Sequence, residues 1–296
     1  GVFIAIATFI AVLAGFKYEN AIVLSINDKE AKNLYFLSLS STIILAILSY
    51  LILVVLTPSS NILVGMGYKV NSFPLYLISL YVLVFGFSQL NKQYFNYKSN
   101  FSVISINQII GRSFSVGSKL ILGFIKLGGV GLIIGELLNL FSQVIYSLNK
   151  IKFTKNRTTL KGVLITAKKY IKFPKYELPM DFVNTLAQKV PVVLMASYFG
   201  VGFVGLYVFC NTIPRQLISL TSQNIGGVYY RKIANQTLEF QKEKTQKLLE
   251  KLFLIGVFPF MVLTFFSEDI YKFIFSDKWK EAGFYVQVLS PSFFVL

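Results

Sequence analysis

Long apolar runs alternate with short polar segments along the whole chain, and the runs lack the wet face that a soluble amphipathic helix would show. From Tyr35 to Leu56 there is no charged residue, over a stretch long enough to cross the ~30 Å hydrocarbon core of a bilayer as a helix. By length and flanking charge, the pattern predicts membrane segments at 1–15, 34–56, 74–90, 101–125, 129–148, 178–199, 201–226, 248–266 and 282–296. The expected fold class is all-α, a polytopic bundle of transmembrane helices. The first and last segments are cut by the ends of the sequence, so further helices are expected on both sides. The first segment also lacks the basic leader and cleavage site of a signal peptide.

Composition agrees with a membrane solvent: 54% of the residues are hydrophobic and 14% charged, against about 25% charged in a soluble domain. A net charge of +16 would suit a nucleic-acid binder, but its distribution argues against one. Twenty Lys and Arg fall in 16–33, 91–100, 149–177 and 227–251. Five fall in the alternate connections, Lys69, Lys126, Lys272, Lys278 and Lys280. Cytoplasmic loops retain positive charge during insertion, so the first set is predicted to face the cytoplasm.

The densest basic segment, 150–176, is expected to link an N-terminal lobe, 1–149, to a C-terminal lobe, 177–296. Charge retention accounts for most of its lysines, and a surface helix binding anionic lipid is the alternative. The order of helix, polar stretch and helix that begins at Tyr35 recurs near Thr245, which suits two repeated lobes with a site between them; coincidence is the competing explanation.

Histidine is absent and Cys210 is the only cysteine, which removes the common zinc, haem and Cys/His or Ser/His/Asp arrangements and any internal disulfide. No cofactor or metal is expected, and no enzymatic activity. The chemistry lies instead in polar stripes within the apolar spans. Ser105, Gln108, Arg112, Ser115 and Lys119 recur at helical spacing, as do Glu136, Asn139 and Gln143 in the next span. Two more stripes are Glu177, Asp181, Asn184 and Gln188, and Asn211, Arg215, Ser219 and Ser222.

Four cations, Arg112, Lys119, Lys189 and Arg215, turned to lipid would together cost on the order of 10 kcal/mol, so they are expected to face one another or a wet cavity. Interhelical glue is the plain alternative. They outnumber the embedded carboxylates Glu136 and Asp181, which favours a cavity that takes an anion, with the two carboxylates as candidates for ion coupling. Pro191 and Pro214 interrupt two of these spans and are candidate kinks for gating.

Two motifs carry a resemblance. FKYENAIVLSINDKEAKNL, Phe16 to Leu34, resembles the RYExAIxLPxxxxEA segment of polysaccharide-biosynthesis membrane proteins, with Lys17 in place of the usual Arg and Ser25 where proline is frequent. FSDKWKEAGFYVQVLSP, Phe275 to Pro291, resembles their FGxxWxxAGxYxxxLxP segment, with Ser276 in place of glycine. FPKYELPMDFVNTLAQKVPVVLMASYFG, Phe173 to Gly200, is similar to their seventh-helix region.

The family is that of the Wzx-like oligosaccharide flippases, within the multidrug, oligosaccharidyl-lipid and polysaccharide exporter superfamily. The resemblance implies two homologous six-helix lobes around a central cavity, with this chain running from helix two into helix ten. It implies alternating access in a bacterial cytoplasmic membrane, and translocation of an oligosaccharide on an undecaprenyl pyrophosphate carrier for surface polysaccharide such as lipopolysaccharide O-antigen. The expected partners are that lipid-linked oligosaccharide, membrane lipids, a proton or sodium ion, and the glycosyltransferases and polymerase of the same pathway. Arg and Lys near mid-membrane suit the pyrophosphate, Arg through its forked donors and Lys as a point charge.

Three other functions compete. A multidrug and toxin extruder with cationic cargo would favour an acidic cavity. A membrane glycosyltransferase or polymerase would need an acidic metal motif or a large outer loop. A structural partner for glycosyltransferases would tolerate loss of the embedded charges.

Overall fold

A computed structural model of the chain describes residues 2–56, 76–151, 158–200, 202–216, 218 and 237–295. Lys69, Ser219, Ser222 and most of the polar half of the repeat after Tyr35 lie outside the described residues. The described residues are helical throughout, with helices long and apolar enough to cross a membrane, so the chain is an all-α membrane bundle.

The elements are α1 (Val2–Ala11), the short α2 (Tyr18–Ala21), α3 (Asp28–Leu56), α4 (Leu77–Tyr97), α5 (Phe101–Phe124), α6 (Gly128–Lys150), α7 (Leu160–Lys169), α8 (Leu178–Phe199), α9 (202–216), α10 (Leu238–Phe275) and α11 (Lys280–Val295). Hydropathy marks only the membrane-embedded part of a helix, so several run past the predicted spans. α10 is the extreme case, with 38 residues, or roughly 57 Å at 1.5 Å per residue. Its charged first third was expected to be loop but is helical, carrying an i,i+4 pair between Lys247 and Glu243 at 2.5 Å.

The connection 16–33, also expected to be a loop, is structured. Gly15, Phe16 and Lys17 take left-handed φ values of 69°, 48° and 63°, so the chain leaves α1 and re-enters helix with its axis turned by 52°. α3 begins where Asn27 Oδ1 accepts the Glu30 N–H at 2.9 Å, while the Glu30 carboxylate turns back to accept from the Ile26 N–H. This reciprocal arrangement satisfies amides that the first turn leaves open, and it gives Glu30 of the motif a structural role.

Two compact units divide at Tyr198 and Phe199. The basic segment contributes α7, which packs on α3 within the first unit, and α8 up to Tyr198 belongs to that unit as well. One core of the first unit joins α1, α4 and α6 through Phe3, Ala7, Val82 and Leu137, with Phe3 edge-on to Tyr81 at 6.2 Å. A second gathers Tyr18, Ile22, Leu34, Tyr94 and Tyr170 around the α2 turn. In the second unit, α9, α10 and α11 pack around Cys210, Phe260, Tyr271 and Val286, with Phe209 against Trp279 at 4.4 Å.

The outward faces are apolar. Ile44, Ile47, Leu51 and Val55 of α3 and Phe253, Phe258 and Phe265 of α10 are exposed, as befits helices whose solvent is hydrocarbon. Orientation is checked with Thr158→Cys and Ser276→Cys, both at exposed sites, in a Cys210→Ser background. An impermeant thiol reagent on intact cells is expected to label Ser276→Cys and spare Thr158→Cys, and equal labelling of both would reverse the assignment.

Candidate functional site

The break after α1 opens a cavity of about 300 Å³ within the first unit, part of its wall apolar through Val12 and Phe85. Thr8 of α1, Gln89 of α4, and Thr185, Gln188 and Lys189 of α8 line it, together with Lys17, Glu19 and Asn20 from the turn. Of the charged groups lining it, two are lysines and one is Glu19.

The turn is tied to α8 and to the residue just before it by two polar contacts. Lys17 Nζ pairs with Asp181 Oδ2 at 2.7 Å, and Asn20 Nδ2 donates to Glu177 Oε1. Gln93 Nε2 in turn donates to Asn20 Oδ1 at 2.9 Å, bringing α4 into the same network. Glu19 is buried, and its Oε2 has no hydrogen-bond partner among the described residues. That oxygen rests over Gly15, where a Cβ would collide with it, and Gly15 also sits at positive φ. Only glycine meets both demands at no cost.

A second polar network joins α5 and α6. Lys119 Nζ meets Glu136 Oε2 at 2.8 Å, and Asn139 Nδ2 donates to Glu136 Oε1 at 3.1 Å. Gln143 Nε2 donates to Asn139 Oδ1 and its Oε1 accepts from Ser88 of α4. Gly111 lets this network come close, since a Cβ there would strike the Asn139 and Gln143 side chains. These groups partner one another across the helices, as polar residues that hold membrane helices together do.

The structure therefore distributes the sequence-predicted residues. Lys189 reaches the cavity, and Asp181 stands behind it in the pair with Lys17. Lys119 and Glu136 are paired with each other away from it. Arg112 is exposed on α5 and makes no ion pair among the described residues, while Asn107, Gly111 and Ser115 form the buried face of that helix. In the second unit Arg215 is exposed with its guanidinium 5.9 Å from the Phe293 ring centre. Pro191 lies inside α8, two residues from Lys189, and Pro214 is fully buried beside Arg215.

Sequence reasoning missed Lys17, Glu19, Asn20, Gln89 and Gln93. For the first three the signal was present in the KYEN motif, but it fell in a segment read as a loop, where charges need no explanation.

The fold and site define a polytopic helical membrane protein with a partly charged cavity among apolar helices. A family model described as polysaccharide biosynthesis protein matches residues 1–283. The chain belongs to that family. No curated protein and no solved structure matches it. Membership gives it a role in polysaccharide biosynthesis at a membrane.

Proposed function

We propose that the chain is a flippase that carries oligosaccharide linked to undecaprenyl pyrophosphate from the cytoplasmic to the outer leaflet of a bacterial cytoplasmic membrane, by alternating access and without covalent chemistry. The observation that carries this reading is the cavity lined by Lys17 and Lys189 inside helices whose outer faces are apolar. Ammonium groups hold phosphate oxygens through charge-assisted hydrogen bonds, Lys17 once its pair with Asp181 opens, and the polar amides and hydroxyls around them suit sugar hydroxyls.

Arg112 and Arg215 complete the proposal as forked phosphate ligands. Arg112 and Arg215 have no carboxylate partner among the described residues, and Arg215 rests against an aromatic ring. Lys119 is committed to Glu136 and assists only if that pair opens. Asp181 and Glu136, each now paired with a lysine, are proposed to sense a coupling proton or sodium ion by releasing it. A drug extruder with cationic cargo is disfavoured by a lining of two lysines and one glutamate.

The test replaces the cations and follows lipid-linked saccharide in cells. Lys189→Gln, Arg112→Ala and Arg215→Ala are each expected to weaken head-group binding by on the order of 10- to 100-fold, the worth of one charge-assisted hydrogen bond. Cytoplasm-facing intermediates should accumulate while membrane abundance stays normal. Arg→Lys should restore only part of the activity, because charge returns without the fork. A well-expressed Arg112→Ala/Lys189→Gln/Arg215→Ala variant that exports polysaccharide at the native rate would overturn the proposal.

A further inference from the structure

The outward face of α7 is unlike the other exposed faces of the first unit. Thr159 caps the helix by accepting the Gly162 N–H, and Thr166 and Tyr170 are its buried contacts. Asn33 Nδ2 donates to Thr166 Oγ1 at 3.1 Å, Lys169 pairs with Glu30 at 2.6 Å, and the Tyr170 hydroxyl reaches Glu30 and the Leu24 carbonyl. The opposite side holds Leu160, Lys161, Leu164, Ile165 and Lys168, all exposed. At about 100° per residue they share an arc of roughly 140°. Leu160, Leu164 and Ile165 expose 86%, 68% and 62% of their surface, which is too much apolar area for a helix facing water alone.

Charge separates the two sides as well. Lys169, on the packed side, is neutralised by Glu30, whereas Lys161 and Lys168 have no carboxylate partner among the described residues. Position along α3 fixes the depth. α7 rests on Glu30 and Asn33, in the first turns of α3, and the exposed apolar face of α3 begins at Phe36, one turn further on. One turn is about 5 Å, so α7 lies at the level where hydrocarbon gives way to head groups.

We propose that α7 is an anionic-lipid docking helix, whose Leu160, Leu164 and Ile165 enter the acyl boundary of the leaflet while Lys161 and Lys168 bind phospholipid head-group phosphates. Free cations interleaved with exposed aliphatic groups at interfacial depth match a negatively charged leaflet in both respects. The helix also holds the cavity turn, because Tyr18, between Lys17 and Glu19, donates its hydroxyl to the Ala167 carbonyl. Lipid seated on α7 therefore steadies the side chains that line the cavity, whatever the cargo is.

The test uses the whole protein in neutral nanodiscs with an environment-sensitive fluorophore on Leu164→Cys in a Cys210→Ser background. Short-chain phosphatidylglycerol is titrated against short-chain phosphatidylcholine and inorganic phosphate. Phosphatidylglycerol is expected to blue-shift the label, and Lys161→Gln/Lys168→Gln to raise the half-effective concentration about five-fold per lysine, on the order of 30-fold together. Lys161→Arg/Lys168→Arg should keep the native response, which controls for folding, and raised salt should weaken the response of the unsubstituted face. Equal responses to the two lipids would mean generic apolar contact and overturn the proposal. Saturation by phosphate alone, no response to any ligand, or a shift that depends on protein concentration and so reports a second copy would each overturn it too.

Discussion

Lys17→Glu is expected to abolish export, and adding Asp181→Lys to restore a substantial part of it. The two side chains meet at 2.7 Å and are 13% and 29% exposed, so the pair is screened only in part. Breaking a fully buried pair costs about 3–5 kcal/mol, and this partial exposure brings the figure down to roughly half, enough for a 10- to 100-fold loss. Lys17→Glu goes further by setting a carboxylate against Asp181 with Glu19 and Glu177 close by. The exchange of charges rebuilds the pair with the opposite sense. Recovery in the double variant, measured as surface polysaccharide per unit of membrane protein, would show that the turn must be held to α8. If both single variants and the double variant export equally well, the pair has no part in transport.

Gly15→Ala is expected to keep the protein from accumulating in the membrane. A left-handed backbone costs an L-residue about 1–2 kcal/mol, and the new methyl group would also drive the buried Glu19 carboxylate from its place. Neighbouring Phe16 and Lys17 already occupy left-handed conformations, so the segment has little room to relax. Membrane abundance and the thermal midpoint of the detergent-solubilised protein measure the effect. Gly15→Ala/Glu19→Ala should recover part of both, because it removes the collision and leaves only the backbone cost. Native abundance of Gly15→Ala alone would show that the turn can rearrange freely.

Much of the bundle was legible because the bilayer imposes one simple rule on sequence: a helix that crosses it must be apolar over its length. α5, predicted as 101–125 and found at Phe101–Phe124, follows that rule directly. α10 does not, because helix formation in water depends on pairs such as Glu243 with Lys247, and hydropathy does not register these. The stripe Glu177, Asp181, Asn184 and Gln188 was legible in the sequence, but the partners of Glu177 and Asp181 were not. Lys17 and Asn20 reach it through three left-handed residues, only one of which is glycine, and no local propensity announces such a turn. The stripes on α5 and α6 looked alike in sequence, yet it is Gly111 that lets the Asn139 and Gln143 side chains of α6 come against α5.

α10 carries a mechanical consequence. Its charged first turn at Leu238 lies 21 positions before Pro259, roughly 32 Å along a single helix. Pro259 cannot donate to the Ile255 carbonyl, and Gly256 lies one residue further along, so the rod is weakest there. A bend of about 20° at that point would sweep the tip of the rod through roughly 11 Å. The helix is thus a lever: a rearrangement around Pro259 too small to disturb the packing of Phe260 and Leu263 becomes, at its polar end, a displacement wider than a helix turn is tall.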